Sequence, residues 1–313
     1  KIITMKNYAK LIKLTLIVVT STVMFSCSDD DAPQNNSIAG IASRTENLSI
    51  LVDALERTDL VETLDGSGSF TVFAPTNAAF TTFLADNGFA NLDAVPTAAL
   101  KEILLNHVVS GAKLSSTLTT GYIKTLAKGS ASSTNTLSMY VNTTSGVRLN
   151  GVSSVTTADV LASNGVVHIV DKVIGLPTVV THALANPNLS TLVSLLVAQD
   201  LVSTLSGTAS SPFTVFAPVN SAFTPATLDL YTSLSSENKT AVLTYHVVAG
   251  ANVLSTGIPT TPITTLQGGT FTVAGTVITD LVDRDTNIIL SALDIQASNG
   301  VVHAVDNVLL PFN

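Results

Sequence analysis

Phe70-Thr71-Val72-Phe73-Ala74-Pro75-Thr76-Asn77-Ala78-Ala79-Phe80 reads as a short strand that runs into a corner. Its β-branched and aromatic start suits a pleated, buried position. Pro75 fixes φ and lacks an N–H, so the ladder stops there. Thr76 or Asn77 can then cap a helix that carries Phe80 and Phe83. The pattern returns 143 residues later as Phe213-Thr214-Val215-Phe216-Ala217-Pro218-Val219-Asn220-Ser221-Ala222-Phe223.

The repetition extends outward in both directions. Asn47–Leu51 recurs as Asn188–Leu192 at an offset of 141, His107–Val109 as His246–Val248 at 139, and Ala162–His168 as Ala297–His303 at 135. Offsets that drift while order is kept identify one unit built twice, with loops of changed length. The units run over 38–176 and 177–313 and meet at Leu176-Pro177. In each, apolar residues at helical spacing (Leu48, Leu51, Leu55, Leu60, Val61, Leu64) predict helix over 46–64 and again over 189–205. A further helix is predicted over Thr97–Asn106, with a counterpart over Ser235–Thr244. The rest is strand and turn: 137–142, 147–149, 156–161 and 166–170. Asn164-Gly165, repeated as Asn299-Gly300, fits a two-residue type I′ turn in which both residues take φ > 0. The predicted class is α+β, with helices first and a β-rich half after.

Composition narrows the function. Of 313 residues, 46% are hydrophobic and 12% charged, which excludes a disordered chain. The four cations of the first 26 residues face no acid there, so the remainder carries ten cations against 22 acids, a balance of −12. Only Lys239 and Arg284 occur in the last 130 residues. That is the wrong electrostatic footprint for a nucleic-acid partner. Cys27 is the sole cysteine, which excludes an internal disulfide and a cysteine-based zinc site.

Residues 1–26 read as a signal peptide: Lys6, Lys10 and Lys13 precede an apolar stretch from Leu14 to Phe25, too short for a bilayer span. Met5 is the expected initiator. Met24-Phe25-Ser26-Cys27 resembles the lipobox of bacterial lipoproteins, with Cys27 the acylated residue. Residues 27–37, opening with Ser28-Asp29-Asp30-Asp31, resemble an acidic tether that directs lipoproteins to the outer face of a Gram-negative outer membrane. Membrane contact is expected through that lipid anchor alone.

At the repeated motifs the sequence resembles the fasciclin domain family. One family signature is matched by Phe70–Phe80 and Phe213–Phe223, the other by Leu161–Asp171 and Ile295–Asp306. The family's Tyr-His element stands as Tyr245-His246 in the second unit and as Asn106-His107 in the first. The resemblance implies tandem wedge-shaped β-sandwiches with packed helices, in a non-enzymatic surface protein that mediates adhesion or matrix contact. Its expected partner is an extracellular protein or polysaccharide. It also implies a binding role at Tyr245, His246 and His107. Some relatives hold pigments, so a carrier of a small apolar ligand, a carotenoid or lipid, is the alternative.

Residue chemistry adds no catalytic site. His107 and His168 recur as His246 and His303, while His182 has no counterpart. On an extended strand His168 points away from Asp171, so the two do not converge on a metal. A buried, hydrogen-bonded imidazole is the expected role, no metal or cofactor is expected, and Asn77 and Asn220 read as turn-fixing side chains. Asp280, Asp283 and Asp285 form an acidic loop with calcium-compatible oxygens, but Arg284 in its midst argues for a solvated loop.

Overall fold

The computed structural model describes residues 35–312. The expected signal peptide, Cys27 and the tether up to residue 34 lie outside the described residues. The first unit opens with three helices, α1 (Ile38–Arg44), α2 (Ser49–Arg57) and α3 (Val61–Asp65). The strand β1 (Phe70–Pro75), helices α4 (Asn77–Asp86) and α5 (Thr97–Asn106), and strands β2 (Val108–Ser110), β3 (Gly121–Lys124), β4 (Ser138–Asn142), β5 (Arg148–Leu149), β6 (Ser153–Ala162) and β7 (Gly165–Val170) follow. The second unit repeats the order: α6 (Val179–Ala185), α7 (Ser190–Ala198), α8 (Leu201–Ser206), β8 (Phe213–Pro218), α9 (Pro225–Ser233) and α10 (Ser236–Tyr245). It closes with β9 (Val247–Ala249), β10 (Ile263–Thr264), β11 (Thr270–Ala274), β12 (Val277–Thr279), β13 (Asp285–Asn287), β14 (Ile295–Ala297) and β15 (Gly300–Val305).

β1 is buried on both faces because two cores meet on it. Its side chains alternate, so Val72 packs with Leu51, Leu55, Phe80, Leu100 and Leu104 under the helices. Phe73 faces the other way, onto Met139, Val141, Leu149 and Val170. Val215 and Phe216 divide the second unit in the same manner. The first unit's strands form one sheet in the order β2-β1-β7-β6-β5-β4-β3. β6 slips register between Val155 and Thr157 and again before Val160, and Asp159 takes φ 61°. Such bulges bend a strand, which folds the sheet over the second core. In the second unit the equivalent strand is broken into β13 and β14, giving two four-stranded sheets.

Two sequence expectations are corrected. The helix predicted over 46–64 is interrupted at Asp59, whose φ of 55° ends α2, and Asp200 at φ 52° separates α7 from α8. A short aspartate tolerates this left-handed geometry, and the break lets α3 turn back along α1. The Asn-Gly turn is not type I′. The loop residues are Ser163 and Asn164, Ala162 pairs with Gly165, and Asn164 is not in the left-handed region. The glycine serves another purpose. A Cβ on Gly165 would sit 1.9 Å from the Phe70 carbonyl oxygen, and one on Gly300 would sit 2.2 Å from that of Phe213. Only glycine lets β7 and β15 start their parallel pairing there.

Residues 36–313 form one compact unit. The first domain's β3 and β4 lie against α6 and β14 of the second. Ser138 Oγ accepts from Gln296 N at 3.0 Å, Lys124 Nζ donates to Asp294 O at 2.9 Å, and Ala131 N and Ser130 Oγ both donate to Ser298 O at 2.9 Å. Tyr122 sets its ring edge to face with His182, 5.5 Å between centroids.

Gly165→Ala and Gly300→Ala should each lower unfolding stability by about 2–4 kcal/mol, because backbone rather than a flexible side chain blocks the new methyl group. Gly257→Ala, whose Cβ meets nothing within 4 Å, is the control and should change stability by less than about 0.5 kcal/mol in the same urea titration.

Candidate functional site

The asparagines repeated at the strand-to-helix corner and at the last turn of each unit are engaged as braces. Thr76 is the cap of α4, its Oγ1 accepting from Ala79 N at 3.2 Å, so Asn77 is free for a longer reach. Asn77 Nδ2 donates to Ser49 Oγ at 2.9 Å and Glu46 O at 3.2 Å, while its Oδ1 accepts from Ile50 N at 2.9 Å. Asn220 repeats this with Ser190 Oγ, Pro187 O and Thr191 N. Asn164 Nδ2 donates to Leu64 O at 2.7 Å and Gly66 O at 3.0 Å, and its Oδ1 accepts from Ile38 N at 2.9 Å. Asn299 makes the same set with Leu205 O, Gly207 O and Val179 N. One amide side chain thus satisfies the end of one helix and the start of another.

The repeated histidines fall into two classes, told apart by which ring nitrogen must accept. His107 Nε2 accepts from Ile174 N at 2.8 Å, so its Nδ1 donates to Ile103 O at 2.7 Å. His246 does the same with Leu309 N and Val242 O. His168 is reversed: Nδ1 accepts from Asp159 N at 3.2 Å and Nε2 donates to Lys113 O at 2.9 Å. His303 matches it with Asp294 N and Val253 O. A backbone N–H aimed at one nitrogen fixes the neutral tautomer. Burial accordingly pushes His107 and His246 down to about 4, and lowers His303 as well. Asp171 and Asp306 point elsewhere, onto Ser154 N and Asn287 N. Among the described residues no group of three His, Cys, Asp or Glu side chains could hold a metal ion.

The Tyr-His element, to which the resemblance gives a binding role at Tyr245, His246 and His107, is interior. Tyr245 is 0% exposed, His246 3% and His107 1%. Tyr245 OH donates to Thr270 O at 2.6 Å and accepts from Leu281 N at 3.1 Å, tying α10 to the sheet. Asn106, its counterpart, instead donates to Gly175 O at 3.0 Å and accepts from Thr125 Oγ1 at 3.2 Å. A partner touching the surface meets none of these groups.

The acidic loop is likewise not a solvated one at its centre. Asp280 is buried, ion-paired to Arg284 at 2.9 Å, and accepts from Leu310 N at 3.0 Å, so it clamps the carboxy-terminal segment. Two braces went unread in the sequence. Asp159 accepts from Ser115 N and Oγ, and Asp294 from Ser255 N and Oγ. Thr71 Oγ1 donates to Gly111 O and accepts from Lys113 N, as Thr214 does with Ala251 and Val253. The recurrence of both pairs in the two units was the available signal.

With the paired architecture and its braces established, comparison with known proteins is direct. The fasciclin domain profile matches twice, over residues 46–177 and 187–311. The chain belongs to the fasciclin domain family. It is 40% identical over 138 residues to protein sll1483 of Synechocystis, covering 43% of this chain and 73% of that protein. It is 27% identical over 261 residues to human periostin, covering 80% of this chain and 29% of that protein, so the chain spans under a third of periostin. Cell surface glycolipoprotein MPB83 of Mycobacterium bovis is 36% identical over 140 residues, 42% of this chain and 60% of that one. A FAS1 domain pair from the insect cell adhesion molecule fasciclin I superposes with a TM-score of 0.50 at 19% identity, over 84% of this chain and 97% of that one. The tandem α+β arrangement expected from the repeats is therefore the fold.

The buried histidines give the pair an acid sensitivity. His182 joins His107 and His246, held down to about 4 by burial, with Nε2 donating to Gln296 O at 3.2 Å. Each has a folded value below the ordinary 6.5, so between about 6.5 and 4 the unfolded chain binds protons that the folded chain does not. Stability is then present above pH 6.5 and lost as pH falls through that window, by about 1 kcal/mol per histidine per pH unit. Thermal midpoints measured from pH 7.5 to 4.5 should fall steadily, and less steeply in His182→Gln; a flat profile would contradict the buried neutral assignments.

Proposed function

We propose that the protein is a non-enzymatic surface adhesion module, anchored by an acylated Cys27 to the outer membrane of a Gram-negative cell and contacting extracellular protein or polysaccharide. The observation that carries this reading is the docked domain pair. Its repeated polar side chains are spent on internal bracing, and what it offers outward is a stiff recognition surface. Membership of the fasciclin family supports it, as do the printed descriptions of relatives: a cell adhesion molecule with the same domain pair, and a cell surface glycolipoprotein. Among the described residues no helix is long and apolar enough to cross a membrane. In this reading the acyl chains on Cys27 supply the anchorage. The alternative, a carrier of a carotenoid or lipid, gains no comparable support. The apolar voids beside Tyr231 and beside Leu192 measure about 10 and 20 Å³, and the two roomier grooves, about 390 and 370 Å³, are open to solvent and partly polar in lining rather than enclosed and apolar.

Two measurements test the proposal. The full chain made in a Gram-negative host should enter the detergent phase on detergent partitioning, and Cys27→Ser should move it to the aqueous phase. The full chain should also be retained on immobilised extracellular polysaccharide or matrix protein. Wild type found wholly in the aqueous phase removes the anchor from the proposal, and no retention removes the adhesion.

A further inference from the structure

His182 is the buried histidine with no counterpart in the first domain, and it lies where the two domains dock. Asn299 Oδ1 accepts from Val179 N just as Asn164 Oδ1 accepts from Ile38 N, which matches His182 with Ile41 and Ala185 with Arg44. Ile41 is partly exposed and Arg44 is exposed, whereas His182 and Ala185 are 0% and 7% exposed. The cover comes from the first domain. Tyr122 packs from there onto a core of the second domain, and a Cβ on Gly151 would sit 3.2 Å from Ala185 Cα. The first domain also carries extra chain for this contact. Thr125 N and Thr265 N make equivalent bonds to Leu137 O and Gly269 O, yet eleven residues separate the first pair and three the second. The longer loop holds Ser130 and Ala131, which reach Ser298 O.

The surroundings of the ring suit a neutral imidazole and oppose a charged one. A carbonyl only accepts, so Nε2 holds the proton it donates to Gln296 O. Nδ1 is buried and has no hydrogen-bond partner among the described residues. From the first domain the ring faces Tyr122, with Tyr140 behind it at 5.0 Å between centroids, and Lys124 shares the Tyr122 face of β3. Burial pushes both tyrosine hydroxyls up, so neither supplies an anion. From β14 the nearby carboxylate, Asp294, is engaged by Ser255 N and Oγ at 2.8 and 2.6 Å and lies 3.8 Å from His303. Helix α6 contributes no other ionisable side chain. A proton on Nδ1 therefore gains no acceptor and meets the charge of Lys124. His107 and His246 differ, because each bonds both nitrogens to backbone of its own domain. Gln296 couples the ring to the junction: its carbonyl takes His182, and its N–H donates to Ser138 Oγ across the boundary.

We propose that the domain junction is an acid-released latch: protonation of His182 favours an undocked arrangement in which the ring reaches water while each domain stays folded. Each domain keeps its own pair of cores, so undocking leaves both intact. The sign follows from the proton count. Docked, His182 is held down to about 4; in water it returns to 6.5, so the undocked state binds more protons between those values and gains as pH falls. The undocked-to-docked ratio should rise about thirty-fold from pH 7.5 to 5.0. The inference is independent of what the surface binds.

The test is thiol accessibility in the full chain. Ser138→Cys in a Cys27→Ser background places the sole thiol at the junction, where Ser138 is 1% exposed. Its rate of reaction with a pyridyl disulfide, normalised to a free cysteine peptide, should rise about thirty-fold from pH 7.5 to 5.0. Adding His182→Gln, which keeps a donor for Gln296 O, should flatten that rise to less than about three-fold; His182→Leu serves equally if the glutamine variant fails to fold. Thr58→Cys and Thr286→Cys, buried inside the first and second domains, should stay protected at pH 5.0. A junction thiol whose protection ignores pH would overturn the latch. So would an unchanged rise in both His182 variants, or loss of protection at Thr58→Cys or Thr286→Cys in step with Ser138→Cys, since the event would then be unfolding rather than undocking.

Discussion

The parallel pairing of β1 with β7, and of β8 with β15, is the constraint on which each domain depends. It joins the strand after the helical half to the last strand of the β-rich half, so the unit's two ends are fastened together along six paired positions. Both faces of the central strand are then buried, one beneath helices and one within the folded sheet, and the two cores cannot be separated without exposing it. Parallel strands need such covering on both sides. The glycine at the first rung and the asparagine before it follow from this: the former admits the neighbouring backbone, the latter ties the corner to two helices.

Around that frame the two copies differ where structure is optional. β6 is continuous in the first domain and broken in the second. A tyrosine at 245 links α10 to the sheet, while Asn106 at the matching place reaches the connecting segment instead. Histidine tautomers, threonine 71 and 214, and aspartates 159 and 294 are the same in both, because each answers a backbone group that the pairing leaves in a fixed position.

Much of the architecture was legible because the chain states it twice. The strand ending at Pro75, the α5 helix with its observed limits Thr97–Asn106, and the duplicated order all follow from local residue patterns. What escaped was set by tertiary contact. Asp59 and Asp200 break helices that apolar spacing alone would continue. Gly165 was read as a turn residue, whereas its need arises from a strand that lies 95 residues away in sequence. Asp280 was read from its acidic neighbours, but Arg284 and the carboxy-terminal backbone draw it inside.

The junction also gives the molecule a direction. Gln296, on the edge strand β14, is buried and its backbone N–H donates to Ser138 Oγ of the preceding domain, whereas Leu161 at the matching position of the first domain is 70% exposed. The domains are therefore not interchangeable beads: the second leans on the first through the Ser138, Ala131 and Lys124 contacts and has little spare chain between them. Tension arriving at the carboxy-terminal end would be shared by those contacts in shear, side by side, before any linker could stretch. The pair would then act as one stiff strut rather than a flexible two-link chain.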